Sequence, residues 1–351
     1  MKDPLQDSSP HSDRASKGLI LDITRAGQRL IVLGERGHIL LSDDEGKHWQ
    51  QANVPVRVTL TALTFDSADQ GWAVGHSGVI LHTVDGGESW HVQLDGYQAN
   101  QLIENRLRAL VELSPEERLA RGVLYSEDEL RYLLNDAELF SNEGPSRPFL
   151  DVTFLDSQNG FAVGAYGMIF QTSDGGSNWQ PWFDHLPNPD NYHLNAISRD
   201  GGLLFIGGEA GSLFLSADSG KNWNQIESPY DGAFFGVSAS HRPAGSETLV
   251  AYGLRGHAFI SQDQGSSWQS LETGSDATIF GSVKTDSFEF TLLNANGEML
   301  RYNHTGQFLG RSLAPQRSAL SSGLELQNSL LLVGPHGITP LSNSQIEWVA
   351  P

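Results

Sequence analysis

The chain has no cysteine, which excludes disulfides, thiolate nucleophiles and zinc–thiolate sites and leaves the redox compartment open. Basic side chains are scarce, 22 against 42 acidic ones, and the resulting formal charge of -20 repels phosphate backbones, so no nucleic-acid partner is expected. No apolar run approaches the ~20 residues of a membrane-crossing helix, so no membrane span is expected. The opening "MKDPLQDSSPHSDRASKG" lacks a hydrophobic segment; as written it carries no signal peptide, and residues 1–17 read as a flexible lead-in before which a removed leader would fit. Also missing are a phosphate-binding glycine loop ending in Lys-Ser/Thr, His-Glu-x-x-His and Gly-x-Ser-x-Gly, and the 12 histidines show no ligand spacing. No catalytic residue, metal or cofactor is therefore expected.

What the chain does contain is a repeat. "TVDGGESW" (83–90) recurs as "SDDEGKHW" (42–49), "TSDGGSNW" (172–179), "SADSGKNW" (216–223) and "SQDQGSSW" (261–268), all obeying Ser/Thr-x-Asp-x-Gly-x-x-Trp. Upstream of each lies Gly-x-x-Gly: "GERG" (34–37), "GHSG" (75–78), "GAYG" (164–167), "GEAG" (208–211) and "GLRG" (253–256). Worn copies, "NANG" (294–297) and "GPHG" (334–337), bring the units to seven, their boxes decayed to "RYNHTG" and "LSNSQIEW". The second glycines recur every 40 to 45 residues, except between Gly78 and Gly167, where the interval is 89. A segment is inserted there.

Within a unit, "LTALTF", "GWAVG", "VILHT" and "SWHVQL" read as four short strands, and the units lack the amphipathic runs a helical repeat of this period would need. The expectation is an all-β chain over residues 18–351, a seven-bladed β-propeller of four-stranded antiparallel blades with an α-helical insert (about 97–147) between blades 2 and 3. The last unit is expected to supply its own outer strand, "IEWV" (346–349). Because the boxed turn is copied five times, it reads as scaffold: the carboxylates of Asp44, Asp85, Asp174, Asp218 and Asp263 accept from their own turns, and Trp49, Trp90, Trp179, Trp223 and Trp268 pack between sheets.

These boxes resemble the Asp-box, or bacterial-neuraminidase, repeat. The fuller units "FDSADQGWAVGHSGVILHTVDGGESW" (65–90) and "FLDSQNGFAVGAYGMIFQTSDGGSNW" (154–179) are similar to the repeat of the photosystem II stability and assembly factor family. That resemblance implies a non-enzymatic, periplasmic or otherwise extracytoplasmic accessory protein, its partner a membrane protein complex or a component of a resistance-nodulation-division-type transporter. The alternative is a sialidase-like glycoside hydrolase or glycan-binding propeller, which shares the boxes. The arginine-isoleucine-proline signature of a sialidase is absent here, "RLIVLG" (29–34) being an ordinary strand, and no carboxylate pair stands out.

Blade topology assigns faces. Turns between strands two and three share a face with the crossovers to the next blade, whereas the boxes, between strands three and four, lie opposite. The Gly-x-x-Gly turns and the insert therefore share one rim, and Arg36, His76, Tyr166, Arg255 and His336 in those turns are the candidate partner-binding residues. The insert reads as helices capped at Ser114 with Glu117 and at Ser126 with Glu129, with apolar stripes Ile103–Leu107–Leu110–Val111 and Leu130–Leu133–Leu134–Ala137. Those stripes would pack on the insert itself and on blades 2 and 3, or dock a partner.

Overall fold

The computed structural model describes residues 3–241, 247–285 and 289–350; Met1 and Lys2 of the expected lead-in, and Pro351, lie outside the described residues. Each repeat folds as an antiparallel meander. In blade 2 the strands are Leu60–Phe65, Gly71–Gly75, Val79–Thr83 and His91–Leu94. "GWAVG" is buried throughout because sheets cover both of its faces, while the outermost strand exposes His91 and Val92. Equivalent four-stranded sheets span 20–51, 149–181, 194–225 and 234–270. Blade 6 (279–313) and blade 7 (322–342) join into one hydrogen-bonded sheet through parallel contacts Val283↔Gly323 and Lys284↔Leu324 between their inner strands.

Seven blades are thus present, as the repeat requires, but the seventh has three strands among the described residues. "IEWV" does not serve as its fourth. Val349 instead pairs with Arg311, on the outermost strand of blade 6, exchanging two backbone hydrogen bonds of 2.9 and 2.8 Å. The chain reaches back to the preceding blade because Trp348 is held there, over the guanidinium of Arg301 at 5.4 Å and against the apolar junction of blades 6 and 7. Residues 3–17, expected as a lead-in, run along blade 1: Arg57 N donates to Pro4 O (2.8 Å), Ser9 N to Val54 O (3.0 Å), and Ala15 is buried with Ile20, Leu331 and Val333 where blades 7 and 1 meet.

Among the described residues the core is divided into seven apolar clusters, one at each junction between neighbouring blades. The boxed turns build the outer part of these junctions. In every intact box the Ser or Thr hydroxyl donates to the aspartate (2.7–2.9 Å), while its oxygen accepts from the box glycine N–H (2.8–3.1 Å). The second aspartate oxygen then holds the side chain two residues before the next strand, as in Asn178 Nδ2 to Asp174 Oδ2 at 2.7 Å. The closed corner leans on the preceding blade. Gly87 lies against Ile31 and Leu41 of blade 1, and Trp223 of blade 4 meets Phe161 of blade 3 edge-on at 6.0 Å. In the worn sixth unit Asn303 keeps the acceptor role, taking the N–H groups of Thr305 and Gln307 at 2.9 Å.

The insert forms three helices, α1 (Gly96–Val111), α2 (Pro115–Ala120) and α3 (Glu127–Glu143). Ser114 and Ser126 cap α2 and α3 through reciprocal hydrogen bonds with Glu117 and Glu129, and Asp95 with Gln98 does the same for α1. The stripes Ile103–Leu107–Leu110 and Leu130–Leu133–Ala137 are buried in one cluster with Trp72 and Phe154, so the insert extends the junction of blades 2 and 3. Arg106 clamps it down, pairing at 2.5 Å with the fully buried carboxylate of Asp184 in the segment leaving blade 3.

Candidate functional site

The rim carrying the Gly-x-x-Gly turns follows from simple steric demands. The first glycine faces the strand entering its own blade: a Cβ on Gly34 would meet Leu19 O at 1.9 Å, and one on Gly75 would meet Thr59 O at 2.4 Å. The second has φ near +70° and abuts the crossover leaving the blade, as Gly37 abuts Val56 O. The residue after the first glycine donates its N–H to the entering carbonyl, His76 to Thr59 at 2.8 Å and Leu254 to Ala233 at 2.9 Å. The turns are therefore pinned to both chain segments at that end of the blade, and the residues between the glycines are thrust outward.

Arg36, His76, Tyr166, Arg255 and His336 are all exposed, each on a different blade: 1, 2, 3, 5 and 7. Arg36, Tyr166 and Arg255 sit at φ values of 58°, 54° and 55°, a left-handed region that disfavours side chains; Ser77 and Ala210 take the same position in blades 2 and 4. Among the described residues no hydrogen bond or ring contact joins the five to one another; they mark a rim and form no cluster. Only Tyr166 is built into something larger. Its ring lies 4.9 Å from Phe140 of α3 and 4.8 Å from His193.

Beside Tyr166 opens a cleft of about 240 Å³ between α1, α3 and blade 3. Its inner end holds Arg147, 6% exposed, whose Nη2 donates to Asn100 Oδ1 at 2.7 Å and whose guanidinium stacks 4.4 Å from the centre of Phe140. Burial lowers its pKa to about 10, with Asp136 the largest opposing influence. Sequence reasoning passed over Arg147: a single arginine in "PSRPF" carries no repeat signal, and its partner Asn100 lies on a helix 47 residues away.

The central channel, about 1220 Å³, is lined by the inner strands. Asp22 there accepts from Lys284 Nζ (2.8 Å), Ser322 Oγ (2.9 Å) and Leu63 N (3.2 Å), linking blades 6, 7 and 2 to blade 1. Asp151, its equivalent in blade 3, accepts from Val152 N and Ile197 N, both at 2.8 Å; burial pushes its carboxyl up to about 7, and Asp22 adds to the rise. A signal for this pair exists in the repeat: "LDIT" (21–24) and "LDVT" (150–153) occupy the same position of two units. Among the described residues no group of three metal-ligating side chains comes together, and no helix is long and apolar enough to cross a membrane.

Comparison with known proteins gives these features a setting. A family model described as photosynthesis system II assembly factor YCF48 matches residues 13–122 and 143–307. Its gap, 123–142, removes nearly all of α3. Curated relatives include the photosystem II assembly lipoprotein Ycf48 of Synechococcus sp. (strain CC9902), 36% identical over 77 residues, or 22% of this chain and 23% of the relative. The chloroplastic photosystem II stability/assembly factor HCF136 of Cyanidioschyzon merolae is 29% identical over 154 residues, 38% of this chain and 32% of the relative. The matched segments thus span less than a third of either relative. Among solved structures, a YCF48 bound to a D1 peptide superposes with a TM-score of 0.60 at 16% identity, covering 93% of this chain and 94% of that one. The Cyanidioschyzon merolae YCF48 gives 0.61 at 15%, covering 96% and 98%. The WD40 propeller of Doa1 reaches 0.61 at 10% identity with 97% of each chain covered, so these superpositions carry the fold alone.

Proposed function

Because the chain belongs to the Ycf48 family of photosystem II assembly factors, a non-enzymatic family, we propose that it is a binding protein that aids the assembly of a membrane protein complex. The observation that carries this reading is the family match, which takes in 13–122 and 143–307 and so most of the ring. A relative of the same fold is known bound to a D1 peptide, which supports a polypeptide segment of the complex as the ligand here. The rim of Gly-x-x-Gly turns is the proposed contact surface, with Arg36, His76, Tyr166, Arg255 and His336 as its reach. Loops pinned to a rigid ring hold side chains at fixed positions with little ordering cost on binding. The curated Ycf48 relatives are named lipoproteins, which supports an extracytoplasmic site of action.

Affinity capture from native membranes of the source cell, followed by identification of the co-purified proteins, tests the reading. Wild type should retain one membrane complex, and the Arg36→Glu/Arg255→Glu double variant should lose it by about tenfold, a change of ~1.4 kcal/mol in binding. Equal capture by both proteins would place the contact on another face.

A further inference from the structure

Helix α3 falls almost wholly in the internal gap of the family match, 123–142, and it forms one wall of the cleft beside Tyr166. The floor is apolar, from Ile103, Leu107, Leu133, Met168 and Phe170. The rim carries Leu139 and Tyr166, 62% and 48% exposed, and Tyr132 stands two turns before Leu139 on the same side of α3, 64% exposed. Large apolar side chains held this far into water mark contact surfaces when they border an apolar hollow. At about 240 Å³ the hollow is smaller than the ~300–1,000 Å³ of typical small-molecule sites and suits a single large side chain.

Two features describe what carries that side chain. First, the surroundings are acidic: α3 has six acidic residues against Arg131 alone, and Asp136 and Glu143, which line the cleft, take part in no ion pair among the described residues. The one cation lining the cleft is Arg147, buried against Phe140. Second, Arg147 Nε is buried without an acceptor, an uncommon state for a polar group in a folded protein. A main-chain carbonyl would satisfy it without adding negative charge beside Asp136 and Glu143.

We propose that this cleft anchors a protein partner by taking one large apolar or aromatic side chain from a lysine- or arginine-bearing segment, with a carbonyl of that segment accepting from Arg147 Nε. The acidic rim disfavours anionic lipid surfaces and acidic peptides alike. The proposal deepens the assembly-factor reading, resting on it for the idea of a protein partner, yet it concerns α3 and blade 3 and not the arginines of blades 1 and 5.

Fluorescence polarisation of the full chain with short labelled peptides tests it, the peptides having Phe, Trp, Leu or Ser at the centre and lysines or glutamates on either side. Lysine-flanked Phe or Trp peptides should bind at least about tenfold more tightly than glutamate-flanked or serine-centred ones. Ala137→Trp, which fills the hollow, should abolish that binding, and Leu139→Asp at the exposed rim serves if the filled variant fails to fold. Arg36→Glu/Arg255→Glu should leave it unchanged, so loss of membrane capture with intact peptide binding, or the reverse, separates the two readings. No peptide binding, equal binding of lysine and glutamate peptides, or binding unaltered by both cleft variants would overturn the proposal. Cleft-dependent binding to anionic vesicles in place of peptides would also overturn it, in favour of a membrane surface.

Discussion

The boxed turns are recognised by their aspartate, but the geometry puts most of the energy in the hydroxyl two residues earlier. In blade 3, Thr172 is 1% exposed and its Oγ1 is the acceptor for the buried N–H of Gly176 at 2.9 Å, while donating to Asp174 Oδ1 at 2.9 Å. Thr172→Val keeps the shape and strands that N–H, which costs about 2 kcal/mol, within the ~1–3 kcal/mol of an unsatisfied buried donor. Asp174→Asn keeps Oδ1 as acceptor for Asn178 N (2.8 Å) at a solvent-accessible corner, and costs about 0.5 kcal/mol. Thr172→Ser should be near neutral, since Ser42, Ser216 and Ser261 fill the position in other units. Urea unfolding of the three variants measures the order. A carboxamide variant less stable than the valine variant, or a serine variant as damaged as the valine one, would refute the hydroxyl-centred account and restore the aspartate as the keystone.

Acid should act through the same corners. Hydrogen bonds from the Asn178 side chain and N–H hold the Asp174 carboxyl below its ordinary range; a lowered folded pKa gives stability that is present at neutral pH and lost as pH falls through the folded value, so Asp174→Asn should flatten the loss of stability below about pH 4. Asp151 works in the opposite sense. Its carboxyl is raised to about 7, so the folded protein holds the proton more tightly, and wild type loses stability as pH rises from about 4 to 7. Asp151→Asn should therefore gain on wild type by about 2 kcal/mol between pH 5 and pH 8, after allowance for channel solvent; a gap that does not change with pH contradicts this. For the insert, Arg106→Ala leaves the Asp184 carboxylate buried without its main cation and costs ~2–3 kcal/mol, read as faster tryptic cleavage at Arg118 and Arg121 with the ring still folded. Unaltered cleavage would mean that the apolar stripes alone hold the insert.

The blades were legible in the sequence because each restates the same local demands: a glycine where the chain brushes an entering strand, another where φ is positive, and a hydroxyl–aspartate–tryptophan corner. The insert's helices were legible for a similar reason, since Ser114 with Glu117 and Ser126 with Glu129 announce helix starts within four residues. What escaped depends on contacts between distant segments. "IEWV" has the composition of an outer strand, and only the position of Trp348 over Arg301 shows that it belongs to blade 6. Residues 3–17 have the composition of a flexible tail, yet their carbonyls and N–H groups find partners on blade 1. The cleft is hidden more deeply, because it exists only where α3, the Tyr166 turn and Arg147 meet across the fold.

Ring closure explains how such additions are tolerated. Many propellers are closed by a strand from one terminus completing the blade begun by the other; here blade 7 ends at Ser342 with three strands of its own. Closure falls instead to three separate contacts. Leu331 and Val333 of blade 7 pack with Ile20, Ile23 and Val32 of blade 1, Ser321 Oγ donates to Ile20 O at 2.8 Å, and Asp22 gathers Lys284, Ser322 and Leu63 into one set of hydrogen bonds. These lie at the inner or middle strands; on the rim, Ala15 joins the same apolar junction and Ser16 lies against Gly337 of the last turn. A helix inserted after blade 2 therefore lengthens one junction without straining the others, because the ring's continuity does not run through the crossovers. Side chains on the rim can then be replaced without disturbing the ring beneath them.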